Sequence, residues 1–160
     1  MRLILTDIKT KKSFGFESYS EYLKLVSDVN NIDNLEIECD SNNLALDEEL
    51  FYAWGVTHDS VCEFYEALKL DKKDKIYLII LGEDITYFLS LKDLAYAKED
   101  ISYIEANSYE KLAELVYQDE VFPDCLSNKM DEVYKILKED LMDEYTPIVI
   151  DGVNYFYTMK

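Results

Sequence analysis

The feature that most limits what this chain can become is its charge. Thirty-four aspartates and glutamates face sixteen lysines and arginines, a formal net charge of -18 on 160 residues. An excess of this size opposes compaction by self-repulsion. It also argues against direct binding to nucleic acid or to an anionic membrane surface. The chain is nonetheless no solvated acidic tail, because 49% of its residues are hydrophobic and 14% aromatic, enough to build a core. The charge is graded along the chain. Residues 1–45 carry a net of -3, residues 46–100 of -7 and residues 101–160 of -8.

The length suits one compact domain or a row of very small ones. No run of about eighteen apolar residues marks a membrane span, and the start, MRLILTDIKTKK, lacks the apolar stretch of a signal peptide. Cys39, Cys62 and Cys125 are an odd, scattered set. They read as reduced, buried thiols of a cytoplasmic protein.

Apolar periodicity places the elements. Leu3, Ile4, Leu5 and Ile8, then Phe14 and Phe16 across KTKKS, predict a β-hairpin. Ser18 caps a helix through Tyr22, Leu25, Val26 and Val29. Leu35, Ile37 and Cys39 alternate with glutamates as a half-buried strand does. Residues 46–100 read as mainly helical. A helix from Asp47 breaks near Gly55, Thr57 caps the next with Val61, Phe64, Tyr65 and Leu68 inward, and DKKDK is a solvated connector. Ile76, Tyr77, Leu78, Ile79, Ile80 and Leu81 fit either a strand or a short buried helix. Ser90 caps a helix over LKDLAYAK, and Ile101, Tyr103 and Ile104 suggest a strand. Ser108 caps a further helix with Leu112, Leu115 and Val116 inward. Pro123 breaks the chain before a helix through Met130, Val133, Tyr134, Leu137 and Leu141. Pro147 ends that helix, and a hairpin turning at Asp151-Gly152 closes the chain. The expected fold is α/β (α+β), an elongated row of modules at 1–45, 46–100 and 101–160: an N-terminal β-β-α-β unit, a helical middle, and C-terminal helices with a β-hairpin.

The chemistry of the sequence points away from catalysis. Four scattered glycines make neither a phosphate loop nor a dinucleotide fingerprint. The single histidine, His58, with Cys62 four residues on, supplies two ligands where a zinc site needs four. Capping or surface duty suits His58 better. Paired carboxylates are too numerous for any one pair to single itself out. No catalytic, cofactor-binding or metal-binding residue is assigned, and the expectation is a binding protein without cofactor, not an enzyme.

What remains is the placement of the acids. Glu139 and Asp143 lie four apart, as do Asp140 and Glu144; on a helix such pairs repel by roughly 0.2–0.5 kcal/mol each. Asp119-Glu120, Asp131-Glu132, Asp47-Glu48-Glu49, Glu63 and Glu66 extend the set. Any one group reads as a solvated face; together they suggest an acidic partner-binding surface. At one charge per 1.7 Å of duplex axis, eighteen charges match about nine base pairs, so imitation of DNA is feasible. Val153, Tyr155 and Tyr157 alternate along the last strand and predict a face in need of cover, hence a homodimer.

The sequence resembles the ArdA family of antirestriction proteins, most closely over its second half. The likeness is carried by residues 85–94 (ITYFLSLKDL) leading to Glu99-Asp100, the strand Ile101–Glu105, Ser108-Tyr109-Glu110-Lys111-Leu112-Ala113 opening a helix, Pro123 with Leu126, Tyr134, Asp140-Leu141, and the closing hairpin at 148–157. Leu35–Cys39 and residues 61–68 follow more loosely. Where the family has a Tyr-Gly-Arg-Asp-Leu-like stretch, this chain has Leu137-Lys138-Glu139-Asp140-Leu141, keeping only Asp-Leu. The resemblance implies an elongated, dimeric DNA mimic. It would occupy the DNA-binding groove of a bacterial defence nuclease, a type I restriction-modification enzyme first of all. Alternatives are an anti-CRISPR protein and an acidic immunity protein that neutralises a cationic toxin.

Overall fold

The computed structural model describes every residue except Asp28, Asn30, Thr86 and Tyr87. The described residues form a mixed α/β fold with two small antiparallel sheets. Contacts divide the chain into two compact units, Met1–Glu99 and Asp100–Lys160.

In the first unit, β1 (Leu3–Asp7) and β2 (Ser13–Phe16) form the expected hairpin, and β3 (Leu35–Cys39) pairs on the other side of β1. The hairpin turn is held by Asp7, whose carboxylate accepts from the Lys9 and Thr10 backbone N–H groups at 2.8 and 2.9 Å. Those backbone donors hold the Asp7 carboxyl below its ordinary range. Helix α1 (Tyr19–Val26) starts at Ser18, which accepts from Glu21 N, while Glu21 accepts from Glu17 N at 2.7 Å. The helix ends before Val29.

Residues on either side of position 45 share one core. The Phe16 ring packs at a tilt against Tyr22 and Tyr65, and the Tyr65 hydroxyl donates to the Phe16 carbonyl. His58 is half-buried. One ring nitrogen meets the Tyr22 hydroxyl at 2.9 Å and the other the Leu35 carbonyl at 2.8 Å, so the histidine fastens α1 to β3.

Helix α2 (Ala45–Trp54) stops at Gly55, whose φ of 63° is the left-handed cap a glycine supplies. Helix α3 (Val61–Ala67) follows a turn in which the Ser60 hydroxyl accepts from Thr57 N. Thr57 thus opens the turn, and Ser60 is the capping position.

Two sequence expectations fail in the next segment. Residues 71–75 are no solvated connector: Asp71 caps α4 (Lys72–Asp84), which absorbs the whole ambiguous apolar run as helix. Ile76, Leu78, Ile79, Ile80 and Leu81 are all buried, so the helix is apolar nearly all round and shows no period to read. It lies so close to α2 that a Cβ on Gly82 would stand 2.8 Å from the Ala53 Cβ and carbonyl oxygen. Helix α5 (Asp93–Asp100) begins later than expected, at Asp93, whose carboxylate accepts from the Ser90 amide and hydroxyl. Thr86 and Tyr87, within the stretch that carries the family resemblance, lie outside the described residues.

The second unit has a sheet ordered β4-β6-β5, from β4 (Ile101–Glu105), β5 (Thr146–Ile150) and β6 (Val153–Met159). The hairpin turns at Asp151 and Gly152, with φ of 54° and 72°, the pair of positive angles an Asp-Gly turn accommodates. Ala106, Leu112, Ala113, Leu141 and Phe156 form the core, with Ile104, Tyr109, Tyr134 and Leu137 against it. They join β4 and β6 to α6 (Tyr109–Val116) and α7 (Met130–Glu144). Ser108 caps α6 by accepting from Lys111 N. Helix α7 ends by itself at Glu144, and Pro147 lies inside outer strand β5. An outer strand tolerates proline because one side of its backbone needs no ladder partner.

Candidate functional site: the acidic face of the C-terminal unit

The two units carry charge differently. The first has twenty acids and eleven bases over 99 residues; the second has fourteen acids and five bases over 61. Each nets -9, so the second is more densely charged.

Helix α7 concentrates that charge. Val133, Tyr134, Leu137 and Leu141 recur at helical spacing and turn inward; Leu141 is buried in the core. This fixes the outward positions. Glu132, Glu139 and Asp143 fall on one stripe opposite the core, Asp131 and Asp140 flank it, Glu144 ends the helix on the side of Val133 and Leu137, and all six are exposed. Glu132 to Asp143 spans eleven residues, about 16 Å of helix axis. Asp119 and Glu120, after α6, are exposed too. None of these eight carboxylates makes an ion pair among the described residues.

Lys135, four residues from both Asp131 and Glu139, is exposed and forms no ion pair among the described residues, and Lys138 and Lys111 are engaged elsewhere. Lys138 is spent on Glu110 of α6, and that contact pulls the Glu110 carboxyl down to about 2. Lys111 pairs with Glu114. With six acids and two lysines, α7 has a net charge of -4 over about 22 Å, or one charge per roughly 6 Å. A duplex presents one per about 1.7 Å and a single strand one per about 3.4 Å. The helix alone therefore approximates a sparse single strand of phosphates.

The five acids expected from the first unit, Asp47, Glu48, Glu49, Glu63 and Glu66, are engaged or partly covered. Asp47 meets Lys75 at 2.7 Å, and both side chains are nearly buried, so Asp47 is a structural ion-pair partner. Glu63 accepts from the Leu91 backbone N–H at 2.8 Å. Glu66 pairs with Lys69 at 2.6 Å. Glu48 and Glu49 are half-buried on α2. The candidate surface thus contracts to residues 119–144.

The expected dimer face changes as well. Tyr155 and Tyr157 are buried within one chain, at 3% and 6% exposure, and Val153 is half-buried. Phe156 fills the core from the opposite side of β6. The strand has no bare tyrosine face to be covered by a second copy. The cysteines also depart from expectation: Cys39 is half-buried, while Cys62 and Cys125 are exposed.

The periodicity of the acids is legible in the sequence, and Ile136 falls among them rather than among the inward positions. It stands 70% exposed on the outward side of α7. The signal was its failure to match the inward spacing 133, 134, 137, 141.

Elsewhere, an open hollow of about 430 Å³ lies among Arg2, Glu17, Asp40, Asn43, Leu44 and Asp47. Its polar walls bind one another: Asn43 donates to the Arg2 and Asp40 carbonyls, and Arg2 N donates to Asn43. Among the described residues no three His, Cys, Asp or Glu side chains are grouped to hold a metal ion, and no helix is long and apolar enough to cross a membrane. No family model, curated protein or solved structure matches the chain.

Proposed function

We propose that this protein is a DNA-mimic inhibitor whose acidic face on α7 and the turn before it occupies a basic DNA-binding groove. The target class is a bacterial defence nuclease, with a type I restriction-modification enzyme first to be tested. The observation that carries this reading is the row of exposed, unpaired carboxylates along the outer side of α7, in the part of the chain where charge is densest. Carboxylates spaced along a surface, rather than gathered in a cleft, act through their summed field, as a phosphate backbone does.

The test is competition. Purified protein is titrated against a type I restriction enzyme carrying a labelled duplex, at several salt concentrations. Displacement of the duplex is expected, weakening as the Debye length falls from about 10 Å at 0.1 M to about 3 Å at 1 M. A stable ternary complex of enzyme, duplex and protein would refute occupation of the groove. Displacement from a CRISPR effector or a cationic toxin, but not from the restriction enzyme, would move the target while keeping the acidic surface.

A further inference from the structure

The first sheet runs β2-β1-β3, so β3 has a strand on one side only. The register fixes which of its backbone groups face the open side. Asp40 N donates to the Arg2 carbonyl and Ile8 N to the Asn34 carbonyl. Glu36 and Glu38 therefore turn their amides and carbonyls toward β1, while Leu35, Ile37 and Cys39 turn theirs away. Leu35 is already satisfied: its N–H donates to the Ile32 carbonyl, and its own carbonyl accepts from His58. Ile37 and Cys39 are not. Their outward N–H and C=O groups make no hydrogen bond among the described residues.

Beside this edge lies an open hollow of about 410 Å³, lined by Ile37, Glu38, Cys39, Phe51 and Tyr52 and within the size range of ordinary ligand pockets. Phe51 is buried and anchored edge-on against Phe64, while Tyr52 next to it is 67% exposed. Outer strands are commonly blunted by proline, a bulge or a covering element, as Pro147 blunts β5. In contrast, β3 pairs with β1 without interruption over its five residues and contains no proline. Its defence is electrostatic. Glu36 and Glu38 are exposed on the face opposite Ile37, and neither makes an ion pair among the described residues. Two copies of β3 laid side by side would set these like charges together. A second copy is repelled where a cationic strand is attracted.

We infer that the free edge of β3 is a strand-addition site for an extended segment of another protein in which lysine or arginine alternates with apolar residues. Main-chain hydrogen bonds to Ile37 and Cys39 hold the added strand, and its alternation gives selectivity. Apolar side chains on one face cover Tyr52 and fill the hollow over Phe51. Basic side chains on the other stand beside Glu36 and Glu38, at cross-strand separations of about 4.5–5.5 Å. The site uses residues of the first unit alone, so it stands or falls independently of the acidic face on α7.

The test titrates the isotope-labelled full chain with a short peptide of alternating lysine and valine, read by NMR at low salt. One control is the same peptide N-methylated throughout, which loses its main-chain donors but no charge or side chain. The other has the same composition with lysines and valines in separate blocks. The alternating peptide should shift the Ile37 and Cys39 amides and slow their hydrogen exchange. The N-methylated peptide should bind about tenfold more weakly, and the block peptide should leave those amides unprotected. Tyr52→Ala, at an exposed position, should weaken the alternating peptide by about tenfold. Glu36→Lys with Glu38→Lys should weaken it further, with circular dichroism confirming that both variants fold. Equal affinity for the alternating and N-methylated peptides would mean attraction by charge alone and would overturn strand addition. Absence of binding, or shifts confined to residues outside β3 and α2, would overturn it as well. Shifts at Ile37 and Cys39 that grow with protein concentration in the absence of peptide would make a second copy the occupant and overturn the cationic partner.

Discussion

Replacing Lys75 by methionine should be among the most damaging single changes to the first unit. Lys75 is 8% exposed, and its ammonium meets Asp47 at 2.7 Å, with side chains 11% and 14% exposed. Methionine keeps most of the stem's packing volume, so the change isolates the charge. Removing one member of a buried pair costs about 3–5 kcal/mol, because the other charge is left without compensation. Residual water access to Asp47 puts the expected loss near the lower end, about 3 kcal/mol, or a fall in melting temperature of roughly 12–20 °C for a unit of this size. Trp54, the single tryptophan, is fully buried on the same helix as Asp47, so its fluorescence in a urea titration reports this unit directly. Adding Asp47→Leu should recover most of the loss. A Lys75→Met protein within about 1 kcal/mol of wild type, or a double variant no more stable than the single one, would refute the assignment of this pair as structural.

Gly82→Ala sets helix propensity against packing. Alanine gains about 1 kcal/mol in a helix interior, but its Cβ meets Ala53 backbone and side chain at 2.8 Å, so a net loss of about 1–3 kcal/mol is expected by the same fluorescence titration. Lys138→Gln should return the Glu110 carboxyl from about 2 toward its ordinary 4.5, measured by carboxyl NMR titration. Because that shift is a lowering, the contact's contribution in wild type is complete above about pH 4.5 and is lost as pH falls toward about 2. Glu139→Gln with Asp143→Asn should leave folding unchanged or slightly firmer, since an i, i+4 repulsion worth roughly 0.2–0.5 kcal/mol goes. Inhibition should weaken modestly, then erode as Asp140, Glu144, Asp131 and Glu132 are neutralised in turn. Loss of all inhibition from one carboxamide in a folded protein would point instead to a discrete site.

The parts of the fold legible in the sequence are those where a local rule acts alone. Ser18 and Ser108 announce their helices because a serine hydroxyl satisfies an otherwise orphaned amide. Asp151-Gly152 announces its hairpin because both positions need positive φ. The misread segments are those where distant residues decide. DKKDK is polar enough to read as solvated, yet Lys75 enters the interior because Asp47, far along the chain, is there to meet it. The run at 76–81 has no period because it is covered on nearly all sides. The acids of the site divide the same way. Periodicity along α7 gives the outward stripe, but nothing local separates an exposed Glu139 from a Glu63 engaged by the Leu91 amide. The alternation of Val153, Tyr155 and Tyr157 marks a sheet face correctly without saying whether this chain or another buries it.

Helix physics sharpens which carboxylates of α7 call for a functional explanation. Asp131 and Glu132 lie in its first turn, where the positive end of the helix dipole favours acids by about 0.3–1 kcal/mol each. Their place is accounted for by folding alone. Asp143 and Glu144 lie in the last turn, which holds no basic residue, and there the dipole opposes them by a similar amount. Glu139 and Asp140 stand one turn earlier and add the two i, i+4 repulsions. Four acids thus gather at the end of the helix where the backbone dipole opposes them; Lys135 stands one turn from Glu139 alone, and Lys138 is turned away toward Glu110. A sequence under selection for stability alone would place lysines at these positions. Local rules broken without compensation are expected where function sets the residue. If the proposed function holds, the C-terminal half of α7 is therefore where contact with a cationic partner should be centred.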